Sequence, residues 1–311
     1  MKRALAAALA LGIAPALLAA GGLVDAVRAA SDARNFALAE REIRTYRATA
    51  GETPELAEAL SWLARGTLDA RQYDRADAYA TETRKLSLEI LKRSGGGGTA
   101  LETALGAAIE VHAQVLAAEG ERQQALAYLK NELTTWRQSP LEPRIQKNIN
   151  LLTLRGKPAP PLDVGHWLGK RPPSLAALKG HPVLLFFWAH WCADCKAEVP
   201  ILARLMRHYG PQGLVLIGPT QLYGYTAEGD ATPAAETLYI DQVRKRFYGA
   251  LGDMPVPLGH RNFQAYGCST TPTLVLLNSR GVVRMYHPGA MSYEALVEAV
   301  SDSLRGPVPH A

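Results

Sequence analysis

The hydrophobic pattern changes character twice along the chain. After Met1-Lys2-Arg3 an apolar stretch runs from Ala4 to about Ala20 and ends at Gly21-Gly22. From about Val24 to Leu154 the apolar positions recur at helical spacing. Leu56, Leu60, Leu63 and Leu68 follow Thr53-Pro54-Glu55, which carries an N-cap residue and then a proline at the first helical position. Further helices are predicted over residues 101–119, where Gly120 ends the run, over 122–136 and over 140–154. Four consecutive glycines, 95–98, require a flexible connection between them. Beyond Pro158-Ala159-Pro160-Pro161, which cannot continue a helix, short apolar runs alternate with helical ones. Residues 181–188 read as a buried strand, followed by a helix to about Tyr209. A second strand is expected over 213–218, a helix from Thr232 to about Tyr248, an extended piece over 255–258 and a short helix over 262–266. A third strand, 273–277, turns at Asn278-Ser279-Arg280-Gly281 into a hairpin partner over 282–286, and Ser292 caps a last helix over 293–304.

Length and composition fit this division. A chain of 311 residues accommodates two domains, and 48% hydrophobic content supports packed cores. The expected organisation is a leader over residues 1–22, a helical domain over 23–155 and an α/β domain over 156–308. The leader has a charged start, an apolar centre and small residues at its end, the pattern of a secretory signal peptide. Its length also suits an uncleaved membrane anchor. Either reading places the protein outside the cytoplasm, in a periplasmic or other extracytoplasmic compartment where disulfides persist. The formal charge of +5 is spread without basic runs, so no nucleic-acid partner is expected.

The chemistry concentrates at Trp191-Cys192-Ala193-Asp194-Cys195. The strand-then-helix order puts Cys192 at a helix N-terminus, where unpaired N–H groups and the dipole favour a thiolate, the form that attacks disulfides. Cys195 lies one helical turn further on, within reach of a disulfide, so the pair can cycle between dithiol and disulfide. Only three cysteines are present, too few for a four-thiolate zinc site, and Lys196 stands where haem attachment would need histidine. The redox groups are the cysteines themselves, and neither a cofactor nor a metal is expected. Cys268 reads as a small buried hydrophobe, with a third redox partner or mixed-disulfide site as the alternative. His190 reads as a loop residue facing solvent, although a protonated ring close to Cys192 would favour its thiolate. Asp194 beside the thiolate favours the disulfide state by charge repulsion. The stretch Pro219-Thr220-Gln221-Leu222-Tyr223-Gly224-Tyr225 follows a strand end, and reads equally as a groove lining or a structural insertion.

Two resemblances add to these readings. Tyr73 to Tyr79 and Gly120 to Tyr128 each place an alanine, Ala76 and Ala125, three residues before a tyrosine at the start of a second helix. That is similar to the tetratricopeptide repeat, although the spacing of the two stretches is too long for adjacent repeats, and an unrelated antiparallel bundle fits as well. Its surface is a candidate site for a protein partner. In the other half, Trp188-Ala189-His190-Trp191-Cys192-Ala193-Asp194-Cys195-Lys196, Pro200 and Thr271-Pro272-Thr273 resemble the motifs of thioredoxin-fold proteins. Gly156 to Pro160, Leu175 to Gly180 and Cys195 to Pro200 narrow the resemblance to the TlpA/ResA-like family of exported thiol–disulfide oxidoreductases. The resemblance implies a thioredoxin fold with Cys192 as an exposed attacking thiolate and Cys195 as the buried resolving thiol. Pro272 would be cis, with the Thr271 backbone free to pair with a substrate strand. Glu198 would be an active-site carboxylate, against the plain reading of a solvated helix residue. Trp191 would form a partly exposed wall beside the thiol. The implied partners are a disulfide-containing protein substrate and a membrane thiol donor. Phe186 occupies the place of the buried acid of thioredoxins, which leaves Glu198 for proton handling.

Two other functions are weighed against this. A peroxidase of the peroxiredoxin type would need a threonine at Ala189 and a proline at Leu185, relative to Cys192. An interaction protein would work through the helical domain, with the C-x-x-C as a structural disulfide or a copper site.

Overall fold

The structure is a computed structural model that describes residues 22–95 and 98–304. The expected signal peptide or anchor lies outside the described residues. Among them, no helix is long and apolar enough to cross a membrane.

Among the described residues seven helices come first, in the region the pattern reads as helical: α1 (Leu23–Asp32), α2 (Phe36–Ala50), α3 (Pro54–Asp69), α4 (Tyr73–Ser94), α5 (Thr99–Ala118), α6 (Arg122–Thr135) and α7 (Glu142–Thr153). The Thr53 hydroxyl caps α3 by accepting the Leu56 N–H at 3.1 Å, and the Asn35 side chain caps α2 through the Leu38 N–H. Leu56, Leu60 and Leu63 of α3 are buried with Val27, Phe36, Ile43, Leu86 and Ile90 in one core. Ala76 and Ala80 are fully buried where α4 packs along α3, the close approach that small residues allow.

The chain divides into two compact units between Val111 and His112, inside α5. The composition boundary at Gly156 therefore lies within the second unit. Packing explains the difference, since α7 lies against α10 (His260–Tyr266) and against the strand 283–288. The proline-rich segment is tied to the same strand. Gly156 N–H donates to the Val283 carbonyl at 2.8 Å and Val283 N–H to the Lys157 carbonyl at 2.9 Å.

The rest of the second unit is β1 (Trp167–Leu168), β2 (Val183–Phe187), α8 (Ala193–Tyr209), β3 (Val215–Ile217), β4 (Tyr225–Thr226), β5 (Gly229–Asp230), α9 (Pro233–Phe247), β6 (Val256–Pro257), α10, β7 (Thr273–Leu277), β8 (Val283–Pro288) and α11 (Tyr293–Leu304). The central sheet has the order β3-β2-β7-β8, with β2 and β3 parallel and the other pairs antiparallel. Every residue of β2 and β7 is buried, which is why both read as continuous apolar runs rather than alternating ones. The two-residue side-chain period of a strand sorts them by face. Leu184 and Phe186 join Val199, Leu202, Leu296 and Val300 of α8 and α11, whereas Val183, Leu185 and Phe187 join Phe263 and Tyr266 of α10. This is a thioredoxin-like α/β sheet preceded by an all-α region.

Candidate active site: the Cys192–Cys195 pair

β2 delivers its last residues to a crowded strand end. Trp188 donates its backbone N–H to Pro219 and its indole N–H to the Gly218 carbonyl, and the Thr220 hydroxyl donates to the Trp188 carbonyl at 2.8 Å. The chain then reverses in a tight turn closed by Cys192 N–H donating to the Ala189 carbonyl at 3.1 Å. His190 and Trp191 are the central residues of that turn. Trp191 stands 48% exposed, whereas His190 is buried.

Cys192 is the N-cap of α8, and its sulfur accepts the Cys195 backbone N–H at 3.0 Å. Once the pair is reduced, the same N–H and the helix dipole stabilise a thiolate at Cys192. Cys192 and Cys195 form a disulfide, with their Cα atoms 5.3 Å apart. The sequence led us to expect an open Cys192, but it is only 3% exposed in the disulfide form, against 0% for Cys195. The Thr271 carbonyl oxygen covers it, 3.4 Å from Sγ. The Thr271–Pro272 peptide bond is cis, and the Pro272 carbonyl is already engaged by the Gly289 N–H at 2.8 Å.

Glu198 lies one turn beyond Cys195 on α8 and is buried, not solvated. Its Oε1 accepts the Met291 N–H at 3.1 Å. Burial pushes its carboxyl above the ordinary range; the Met291 bond works against that shift, and the charge of Asp194 adds to it.

His190 is the clearest departure from expectation. Its Nε2 lies 3.3 Å from Glu236 Oε1, and both side chains are shut away from solvent. The rings of Tyr223, Tyr225 and Tyr239 meet it edge-on, with centroids 5.5, 5.2 and 5.3 Å away. Burial was not predicted because its cause, Glu236 on α9, is remote in sequence. The only local sign of Glu236 was an acidic residue in the first turn of a helix, which the helix dipole alone would favour. The segment 219–225 forms a wall of the site, since the Tyr223 ring also lies 5.6 Å from that of Trp191. Trp188 and Phe186 are fully buried core residues. Cys268 is buried as a free thiol in the core on the α10 side of the sheet. Among the described residues no group of three or more His, Cys, Asp or Glu side chains is arranged to hold a metal ion.

A dithiol–disulfide pair at the N-terminus of a helix, facing a cis-proline loop at the end of a thioredoxin-like sheet, defines a thiol–disulfide exchange centre. Comparison with known proteins agrees. Residues 156–221 match the model of the AhpC/TSA family. The thiol:disulfide interchange protein DsbE of Xylella fastidiosa is 30% identical over 149 residues, which is 46% of this chain and 66% of that protein. The thiol–disulfide oxidoreductase ResA of Bacillus subtilis is 28% identical over 137 residues, 44% of this chain and 69% of ResA. A crystal structure of a DsbE-type interchange protein from Chlorobium tepidum aligns at 23% identity over 48% of this chain and 97% of its own, with a TM-score of 0.38. The C-terminal half of the chain is thus similar to thiol–disulfide oxidoreductases such as DsbE and ResA. The match spans somewhat less than two thirds of the DsbE relative's length, and it does not extend to the N-terminal helices.

Proposed function

We propose that this protein is an extracytoplasmic thiol–disulfide oxidoreductase that reduces disulfides in partner proteins. The observation that carries the reading is the Cys192–Cys195 disulfide, capped by the Cys195 N–H and set against the Thr271 carbonyl. In the reduced state the Cys192 thiolate attacks one sulfur of a substrate disulfide. A mixed disulfide forms and the first substrate thiolate leaves. Cys195, deprotonated, then attacks Cys192 Sγ, and the second substrate thiolate departs as the Cys192–Cys195 bond closes. Two electrons pass to the substrate, and a membrane dithiol donor returns them to the pair. Trp191 and the Thr271 backbone hold the substrate strand, and Glu198 exchanges protons with Cys195. The charged start and apolar stretch of residues 1–22 support export, by signal peptide or by anchor. The helical region 23–155 serves as a surface for a protein partner, and residues 156–308 as the redox domain.

The test is trapping combined with a potential. Reduced Cys195→Ser should accumulate a mixed disulfide with intact, disulfide-bonded insulin, and Cys192→Ser should not. Equilibration with a thiol buffer should place the pair near a thioredoxin-like value of about −270 mV. A value near −120 mV would make it an oxidant. A pair that no thiol buffer reduces would remove the enzymatic reading altogether.

A further inference from the structure

His190 and Trp191 occupy adjacent positions of one turn and face opposite ways, one into the protein and one out. The inward residue sits in a closed box. Tyr239 and Glu236 come from α9, Tyr223 and Tyr225 from the segment after β3, and Lys196 of α8 acts on the ring through its charge. Glu236 is fully buried and engages the box twice more. Its Oε1 accepts the Tyr223 N–H at 2.6 Å and its Oε2 the Gly224 N–H at 2.8 Å. One carboxylate therefore ties α9, the wall segment and the cysteine-bearing turn together. Apart from His190 and Lys196, all of these groups lie beyond residue 221, where the family match ends.

The box also leaves something unsatisfied. His190 Nε2 is buried with no hydrogen bond of good geometry, although Glu236 Oε1 is 3.3 Å away. A buried ring nitrogen beside a carboxylate is a group whose proton depends on the surrounding charge. Reduction of the Cys192–Cys195 bond changes that charge. Only one residue separates His190 from Cys192 in the turn, so their Cα atoms are at most about 7 Å apart, inside the screening length of about 8–10 Å.

Building on the oxidoreductase reading, we propose that Glu236 and His190 form a buried positioning pair, in which Glu236 holds His190 under the Cys192 turn so that the imidazole takes up a proton when Cys192 becomes a thiolate. The step balances simply. Two electrons and two protons convert the disulfide to a dithiol, and the proton that Cys192 gives up on ionising is held at His190 instead. In the oxidised protein, burial pushes His190 below its ordinary value, Glu236 pulls it back up, and Lys196 adds to the downward push. In the reduced protein the thiolate draws it further up. By linkage, the reduced state is favoured more strongly as pH falls through this window than thiol protonation alone requires.

The test needs no mutant at first. The imidazole resonances of His190 are followed through a pH titration in the full chain, oxidised and then reduced with a thiol buffer. The expected result is a midpoint at higher pH in the reduced protein; coincident midpoints in the two states would overturn the proposal. His190→Gln should then abolish the histidine-dependent inflection in the pH profile of iodoacetamide alkylation of reduced Cys192, and slow alkylation about tenfold on the acid side. Glu236→Gln should move that inflection to lower pH without removing it, and should add nothing in a His190→Gln background. A purely structural role would lower stability in both variants and leave the wild-type midpoints equal. If Cys192 and Cys195 fail to cycle at all, the oxidoreductase reading fails; if they cycle with unmoved His190 midpoints, only this inference does.

Discussion

The Glu198 carboxylate accepts the backbone N–H of Met291 at 3.1 Å, joining the second turn of α8 to the loop that leads into α11. Burial raises this carboxyl and Asp194, one turn earlier on the same helix, raises it further, while the Met291 bond alone opposes them. The native state therefore holds a proton that the unfolded chain has already lost. The window opens near the ordinary glutamate value of about 4.3 and extends upward. Across it, stability is fully present at the acid end and is lost as pH rises through the folded-state value. Glu198→Gln keeps an acceptor for Met291 and removes the titration. We expect its melting temperature, relative to wild type, to rise with pH from about pH 4 until the raised folded-state value is passed. Differential scanning at several pH values checks this, and a constant offset would show that Glu198 is ionised throughout.

Gly267 closes α10 with φ of +59°, and any Cβ there would overlap the backbone of Gln146 and Lys147 on α7. Both a left-handed backbone and a close helix approach thus require glycine. Gly267→Ala is expected to cost about 2–4 kcal/mol, from conformational strain and overpacking together. Gly281, at φ +78° in the β7–β8 turn, has nothing within 4 Å of a built Cβ. Gly281→Ala should cost only the conformational part, about 1 kcal/mol. Urea unfolding of the two variants separates the terms, and equal losses would mean that α7 yields readily at Gly267.

The contrast between these glycines reflects what the sequence could and could not reveal. β2, β7 and α8 were legible because their apolar runs are long, bounded by Gly, Pro and turn residues, and buried by their own fold. The cysteine pair was legible because its chemistry lies within one helical turn. The inward side of His190 was not, since it depends on Glu236 and three tyrosines delivered by a Gly- and Tyr-rich segment without periodicity. The short pairings of β1 with β6 and of β4 with β5 escaped for the same reason, each being two residues long. Composition marked a boundary at the prolines, whereas the compact units part inside α5, because α7 packs by shape against α10 and β8.

Cys268 is a fully buried free thiol, pushed well above the ordinary cysteine range by burial despite an opposing hydrogen bond from Thr273. A thiol held in its neutral form is a poor nucleophile. Ellman's reagent should therefore find no fast-reacting group in the native oxidised protein and one after denaturation. Cys268→Ser should leave the insulin-reduction rate unchanged, since the residue packs in the core on the α10 side of the sheet. A rapid native reaction of Cys268 would place it in the redox cycle.

Trp191 is the outward half of the turn whose inward half is His190, and the residue is 48% exposed while its ring leans edge-on against Tyr223. So much exposed aromatic surface contributes little to folding, yet it flanks the sulfur that a substrate must reach. Trp191→Ala should change the unfolding free energy by less than about 1 kcal/mol. In substrate recognition the loss should be larger, about five- to thirtyfold in kcat/KM for a folded protein disulfide, as expected for a central aromatic contact. Small disulfides such as oxidised glutathione make no use of that surface, and their reduction should fall much less. The decisive comparison is therefore the ratio of the two losses in one variant. A selective loss with the protein substrate assigns Trp191 to substrate binding. Equal losses would assign it to the geometry of Cys192, through the turn it shares with His190.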